Sequence, residues 1–210
     1  MFHEALILCN GDLPDPSRLY PLVSTQTRVI AADGGANRAL DAGIFPHIVI
    51  GDLDSVTDRT RERLPDAEFI HVQDQDRCDF EKALDYCIEH GYGSIAIAGV
   101  DGRRIDFTLS NFAVLWRYAA RTDFRLIGQD WTGYLVHQTR VFHADPGTTV
   151  SLIPFSDCFG VTLEGLAYPL SGADWKLGQT GVSNRVERSP FRVGLDAGRI
   201  LVILMAHPPA

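Results

Sequence analysis

Positive charge is the first thing the chain is short of. Lysine and arginine number 19 against 27 aspartates and glutamates, a formal net charge of −8. A surface of that sign repels a phosphate backbone, which excludes a general nucleic-acid binder. A phosphorylated substrate would need a divalent cation as escort. Cysteine is scarce too. Cys9, Cys78, Cys87 and Cys158 are scattered without a C-x-x-C pair, so neither a disulfide framework nor a zinc site is indicated, and a reducing cytoplasm is expected. No apolar run approaches the ~20 residues of a membrane span. His3, His47, His71, His90, His137, His143 and His207 lack ligand spacing such as H-x-x-x-H and read as surface or strand residues. The opening MFHEALILCNG carries Glu4 inside its apolar run and has no basic leader, so it reads as a first strand rather than a signal peptide. Neither an internal repeat nor a low-complexity tract is present.

What the chain does have is alternation. ALILC, RVIAA, HIVI, FIHV, SIAIA and FRLIG are short apolar runs, each followed by a polar or glycine-containing loop. Helical patterns lie between them. CDFEKALDYCIEHG places Phe80, Ala83, Leu84, Cys87 and Ile88 on one stripe and stops at Gly91, which suits a C-terminal cap. DFTLSNFAVLWRYAA places Leu109, Phe112, Ala113, Trp116 and Ala120 on another, and the Phe112–Trp116 pair reads as core. Continuous apolar strands alternating with amphipathic helices predict a mostly parallel sheet with helices on both faces. From about Gly133 the pattern changes to TRVFHA, TVSLIPF, GVTLEGL, FRVGL and RILVILMA, separated by turns and without helices. That predicts an antiparallel, sandwich-like β domain. The expected division is an α/β domain over residues 1–128 and an all-β domain over 129–210.

In open α/β sheets, ligands gather beyond the carboxyl ends of the strands. Here those ends read CNGD, ADGGAN, GDLDS, QDQDRCD and GVDGRRID, a concentration of carboxylates and glycines. In ADGGANRAL, Gly34 and Gly35 would let the backbone approach a ligand, at the start of a helix whose free N–H groups suit an anion; a tight turn with Asp33 as a polar cap reads equally well. This is neither the dinucleotide G-x-G-x-x-G nor the G-x-x-x-x-G-K-[ST] phosphate loop. In GDLDS, Asp52 and Asp54 would share one face of an extended segment and repel unless a cation such as Mg²⁺ joined them. Ser55 offers itself as the cap of a helix over TDRTRERL, whose charges form a solvated face. DQDRCDFEKAL supplies Asp74, Asp76 and Asp79, then Lys82 one turn into a helix. GVDGRRIDFTLSN joins a glycine loop to Arg103, Arg104 and Asp106, and the planar fork of arginine suits phosphate.

ADGGANRAL, IGDLDSV, DQDRCDFEKAL and GVDGRRIDFTLSN, in that order and spacing, resemble the thiamine pyrophosphokinase family, and VSLIPFSD, VTLEGLAYPL and GVSN resemble its second domain. The resemblance implies pyrophosphoryl transfer from ATP to the hydroxyethyl group of thiamine, with Mg²⁺. It implies an N-terminal ATP- and Mg²⁺-binding domain, a C-terminal domain for thiamine and dimerisation, and a homodimer sharing its sites. Carried over, Asp52, Asp54 and Asp79 match metal-binding carboxylates; Gln75, Asp76 and Lys82 line the ATP pocket; Asp33 is the acid of the glycine turn beside Gly34 and Gly35. Arg104 and Asp106 match the glycine-arginine-aspartate motif, with Asp106 the candidate base. Ser183 and Asn184 match the thiamine-side loop, and Tyr168 or Trp175 could stack on thiamine. Two departures stand out: Arg103 replaces a second glycine, and Phe107 replaces a histidine. Cys78 stands where threonine is common. A non-catalytic thiamine sensor and a metal-dependent nucleotide-sugar transferase are the competing readings.

Overall fold

The computed structural model describes residues 4–206, so His3, His207 and the first residues of the predicted opening strand lie outside the described residues. These residues form two compact units, divided after Gln129.

The first unit alternates as the apolar runs predict. Its elements are β1 (Glu4–Leu8), α1 (Pro16–Leu19), β2 (Thr27–Ala32), α2 (Gly35–Asp41), β3 (Ile48–Gly51), α3 (Asp58–Arg63), β4 (Glu68–His71), α4 (Asp79–Glu89), β5 (Ser94–Ala98), α5 (Ile105–Tyr118) and β6 (Phe124–Ile127). The six strands lie in the order β6-β5-β1-β2-β3-β4, and all pairings are parallel, with Leu6 opposite Val29 on one side and Ala96 on the other. Side chains alternate faces along a strand, yet Leu6, Ile7 and Leu8 are all fully buried. Both faces of the sheet are therefore covered. The chain runs outward from β1 to β4, then returns to place β5 on the other flank of β1. The loops after β1 and β5 diverge from that reversal point, where such sheets open a crevice.

Helix boundaries follow local chemistry. Thr57, not Ser55, caps α3, accepting the Thr60 N–H at 3.2 Å; Ser55 instead turns its hydroxyl to Asp54. Helix α4 buries the predicted stripe of Phe80, Ala83, Leu84 and Cys87, and Gly91 beyond it takes φ 70°. Helix α5 overturns its predicted stripe. Leu109 is 65% and Trp116 47% exposed, and the buried face carries Asn111, Val114, Leu115, Tyr118 and Ala119. The helix is apolar on two sides, and the side that packs inward is the one whose Tyr118 hydroxyl reaches Glu81 and Asp85 of α4.

The second unit is all β: β7 (Trp131–Val136), β8 (Arg140–Phe142), β9 (Thr149–Pro154), β10 (Cys158–Glu164), β11 (Leu170–Trp175), β12 (Gly181–Arg185), β13 (Phe191–Gly194) and β14 (Ile200–Met205). Within it, β12-β9-β14-β7 and β11-β10-β13-β8 form two antiparallel layers. Val150, Leu152, Ile200 and Val202 of one layer and Val161, Leu163, Phe191 and Val193 of the other share a core. Strands β11 and β12 escape the sequence pattern because most of their side chains are exposed or half-buried and both pairings carry register shifts. Among the described residues no helix is long and apolar enough to cross a membrane.

Candidate active site

The carboxyl ends of β1, β2, β3 and β5, with the first turns of α4 and α5, enclose a cleft of about 500 Å³, a volume suited to a small-molecule ligand. Its lining includes Asn10, Asp33, Asp52, Asp54, Cys78, Asp79, Arg103, Arg104, Phe107 and Asn111. Glycine makes the walls possible. A Cβ on Gly35 would stand 2.1 Å from the Leu8 carbonyl, so only glycine lets α2 settle against the end of β1; Gly34 lies as tightly against Asn10. Neither glycine lines the cleft. The close approach they permit here is to the end of β1. A Cβ on Gly51 would meet the Asp33 Cβ and Asp79 Oδ1 at 2.9 Å, so glycine there lets two acids crowd the end of β3.

Asp33, Asp52 and Asp54 each bring a carboxylate oxygen within 4.8 Å of the others. The segment is not extended as predicted: Leu53, between the two loop acids, has φ 63°, and this kink turns both carboxylates toward Asp33. Asp33 is 5% exposed, its backbone has φ 45°, and its Oδ1 has no hydrogen-bond partner. Burial raises the Asp33 pKa above the usual carboxylate range, and the charges of Asp79 and Asp52 push the same way. Hydrogen bonds from Ser55 and the Gly34 N–H oppose them. An orphaned buried oxygen facing two more carboxylates is what a hard divalent cation satisfies, since Mg²⁺ takes oxygen ligands and removes the repulsion.

Asp79 stands beside this trio and is otherwise engaged. Its Oδ1 accepts from Lys82 Nζ at 2.9 Å and from the Asp52 N–H at 3.3 Å. Lys82, one of only two lysines in the chain, is 4% exposed and lies beneath the cleft rather than along it. Gln75 and Asp76 are exposed and outside the cleft lining. Their loop is held by Asp74, which accepts the Asp76 N–H at 2.8 Å and Arg77 Nε at 2.7 Å.

Across the cleft, Arg103 has φ 58°. A side chain occupies the left-handed conformation that glycine takes freely, at a cost of roughly 1–2 kcal/mol. Arg104 pairs with Asp106, Nε to Oδ1 at 3.0 Å and Nη2 to Oδ2 at 2.5 Å, and its guanidinium covers the Phe107 ring at 4.4 Å. Hydrogen bonding to Arg104 holds the Asp106 carboxyl below its ordinary pKa. That makes Asp106 a poorer proton acceptor than its motif position suggests, and it does not line the cleft. Cys9 does line it, but burial pushes its thiol pKa well up, which removes it as a nucleophile.

In the second unit, Asn184 is 5% exposed and consumed by structure. Its Nδ2 donates to the Tyr168 carbonyl at 2.9 Å, and its Oδ1 accepts the N–H groups of Tyr168 and Arg185. Asn184 therefore braces the backbone at Tyr168, whose side chain is exposed. Ser183, at φ 61°, gives its N–H to Ser151 Oγ. Trp175 packs against the sandwich core, whereas Tyr168 is 65% exposed.

Two residues of the cleft region escaped sequence reasoning. Asn111 bonds the Val100 carbonyl at 2.8 Å from the buried face of α5. Asn37 lies inside the quoted motif ADGGANRAL and ties α2 to the acidic loop. The available signal was an asparagine within a helix, where its side chain usually competes with the backbone.

Comparison with known proteins agrees along the chain. Residues 19–127 match the family model "Thiamin pyrophosphokinase, catalytic domain" and residues 137–200 match "Thiamin pyrophosphokinase, vitamin B1 binding domain". The thiamine pyrophosphokinase of Bacillus subtilis is 30% identical over 208 residues, spanning 90% of this chain and 94% of its own. The crystal structure of a Bacillus subtilis thiamine pyrophosphokinase superposes with a TM-score of 0.84 at 28% identity, covering 96% of this chain and 98% of that one. The Candida albicans thiamin pyrophosphokinase shares the fold, with a TM-score of 0.80 at 18% identity over 97% and 89% of the two chains. With both family models matched in sequence and an acidic cleft within the first, this chain belongs to the thiamine pyrophosphokinase family.

Proposed function

We infer that the chain carries out the reaction of its family, forming thiamine diphosphate and AMP from thiamine and ATP, in the acidic cleft and with Mg²⁺. The observation that carries the site assignment is the convergence of the Asp33, Asp52 and Asp54 carboxylates, of which buried Asp33 has an Oδ1 without a hydrogen-bond partner. In the reaction the thiamine hydroxyl oxygen bonds to the β-phosphorus of ATP. The bond from that phosphorus to the α-phosphate oxygen breaks, and AMP leaves with that oxygen.

Asp33, Asp52 and Asp54 would hold the cation, with Asp79 behind them fixing the loop through the Asp52 N–H. When bound, Mg²⁺ supplies positive charge against the oxygens that gain negative charge in the transition state. Arg103 and Arg104 line the opposite wall and give the triphosphate cationic partners, orienting it for attack at the β-position. Lys82 neutralises Asp79 and so limits the charge the phosphates must meet. Asp106 braces Arg104; its lowered basicity favours a transfer that relies on positioning over deprotonation. Gln75 and Asp76 would meet the nucleotide from the loop preceding α4, and Gly34 and Gly35 let α2 settle against the end of β1 beside Asp33. In the second unit, Tyr168 would stack on a thiamine ring, placed by Asn184, with Ser183 beside it. Exposed Phe159, Leu177 and Val182 support a homodimer through this C-terminal β unit. Four free thiols suit a cytoplasmic setting.

Protein incubated with Mg-ATP and thiamine should yield AMP and thiamine diphosphate. Asp54→Asn should abolish turnover while leaving thermal unfolding nearly unchanged, since the side chain is exposed. Thiamine binding without AMP formation would instead make the chain a sensor. Sedimentation velocity tests the dimer; a monomer at micromolar concentration would refute it.

A further inference from the structure

Asp52 and Asp54 sit on a loop held at separate points: the Asp52 N–H bonds Asp79 Oδ1 of α4, Leu53 and Val56 pack against the core cluster that includes Ala36 and Leu40 of α2, and Asn37 holds the stretch that follows Asp54. Between the end of β3 and the first turn of α3 the chain makes no strand pairing, and Leu53 is in the left-handed region. Within the loop, Asp54 N–H bonds Asp52 Oδ1 and Ser55 Oγ bonds Asp54 Oδ1. These bonds link the acids to each other and do not fix them to the scaffold. Arg61 Nη2 donates to the Leu53 carbonyl from α3, which is the loop's own continuation. Asn37, by contrast, stands on α2, the helix that follows Asp33 and is locked to the end of β1 by Gly35.

The amide of Asn37 grips the loop with both ends. Its Nδ2 donates to the Ser55 carbonyl at 2.8 Å. Its Oδ1 accepts the Thr57 N–H at 3.2 Å and the hydroxyl of buried Thr60 at 2.6 Å. A carboxamide alone among side chains can accept and donate with this spacing without adding charge. A carboxylate here would lose the bond to Ser55 and add a fourth negative charge to the cluster, and a smaller residue would leave Thr60 without its acceptor.

We propose that Asn37 is a positioning residue that, with the Asp79 bond to the Asp52 N–H, sets the distance from Asp52 and Asp54 to Asp33, and so tunes divalent-cation affinity without touching the ion. The proposal rests on the metal reading above. Outer-shell partners of metal ligands change affinity by about 10–100-fold when removed, and Asn37 acts one step further out, through the loop backbone.

The test is Mn²⁺ binding to the full chain without nucleotide, followed by electron paramagnetic resonance, for wild type, Asn37→Ala, Thr60→Val and Asp54→Asn. Thermal unfolding is recorded for each. Asn37→Ala should weaken Mn²⁺ binding about tenfold and Thr60→Val by less, since it removes one of the four hydrogen bonds to the Asn37 amide, with all variants folded at the assay temperature. In turnover, Asn37→Ala should raise the Mg²⁺ concentration for half-maximal rate by a similar factor, with saturating Mg²⁺ restoring most of kcat. Wild-type Mn²⁺ affinity in folded Asn37→Ala, alongside lost binding in Asp54→Asn, overturns the positioning role and leaves the metal reading intact. Unchanged binding in Asp54→Asn overturns both. A loss in Asn37→Ala that appears only as the protein unfolds reduces the residue to a structural one and also overturns the proposal. Hydrogen exchange adds a readout independent of metal: the Thr57 amide should exchange faster in Asn37→Ala while β3 amides stay protected.

Discussion

Helices α4 and α5 present similar sequence patterns and opposite outcomes. Each carries an apolar stripe at helical spacing, yet α4 buries its stripe and α5 leaves Leu109 and Trp116 in solvent. Periodicity marks a face that can be covered, and a helix apolar on two sides leaves the choice to its neighbours. In α5 the choice falls to Tyr118. Its ring is buried and its single hydroxyl proton is shared between Glu81 Oε1 at 3.0 Å and Asp85 Oδ2 at 2.9 Å. Arg77 and Arg121 complete the ring of donors around Asp85. The apolar face of α5 that packs inward is thus the one that carries a polar contact to α4.

The contrast can be broken from either helix, and the largest effect belongs to α4. Leu84 is fully buried, so Leu84→Ala should cost about 2–5 kcal/mol in chemical denaturation; a loss below 1 kcal/mol would mean that the stripe is not core. Asp85→Ala should come next, at about 2 kcal/mol, because it leaves Arg77, Arg121 and the Tyr118 hydroxyl without their shared acceptor. Combined with Tyr118→Phe it should be less than additive in a double-mutant cycle, as for any pair in contact. Trp116→Gln on the outer face of α5 should change stability by no more than about 0.5 kcal/mol, and a loss rivalling that of Leu84→Ala would place Trp116 in the core after all. The smallest effect is a pH slope away from both helices. Burial, and then the charge of Arg28, lower the His47 pKa, while its Nδ1 accepts the Val29 N–H at 3.0 Å. A depressed histidine pKa gives stability that is full above the unfolded value of 6.5 and is lost as pH falls below it. His47→Gln should flatten the dependence of melting temperature on pH between about 5 and 7; an unchanged slope would assign it to other groups.

Most of the architecture was legible because burial leaves a compositional trace. The strands of the first unit are continuous apolar runs, since a parallel sheet covered on both faces admits little else. Edge strands β11 and β12 left no such trace, because exposed positions accept nearly any residue. Helix α5 failed for the opposite reason, having too many apolar residues to reveal which face the sheet would take. At the site, the acids that gather at strand ends were legible as a group, because the motifs follow the strands in order. Their individual duties were not. Asp33, Asp52 and Asp54 lie within mutual reach, while Asp79 Oδ1 accepts a buried lysine and a backbone N–H. Asn184, which the resemblance assigns to the thiamine loop, also brackets the Tyr168 backbone. Such hydrogen-bond assignments depend on which backbone groups lie within reach, and spacing along the sequence does not carry that.

The burial of Lys82 has a practical side. Of two lysines, one lies under the cleft at 4% exposure and the other, Lys176, has a side chain 66% exposed. Among lysines, amine-reactive dyes, cross-linkers and immobilising resins therefore find a single ready target. That target belongs to the second unit and is not among the residues lining the acidic cleft, so its modification leaves the phosphate-handling side chains themselves chemically unaltered.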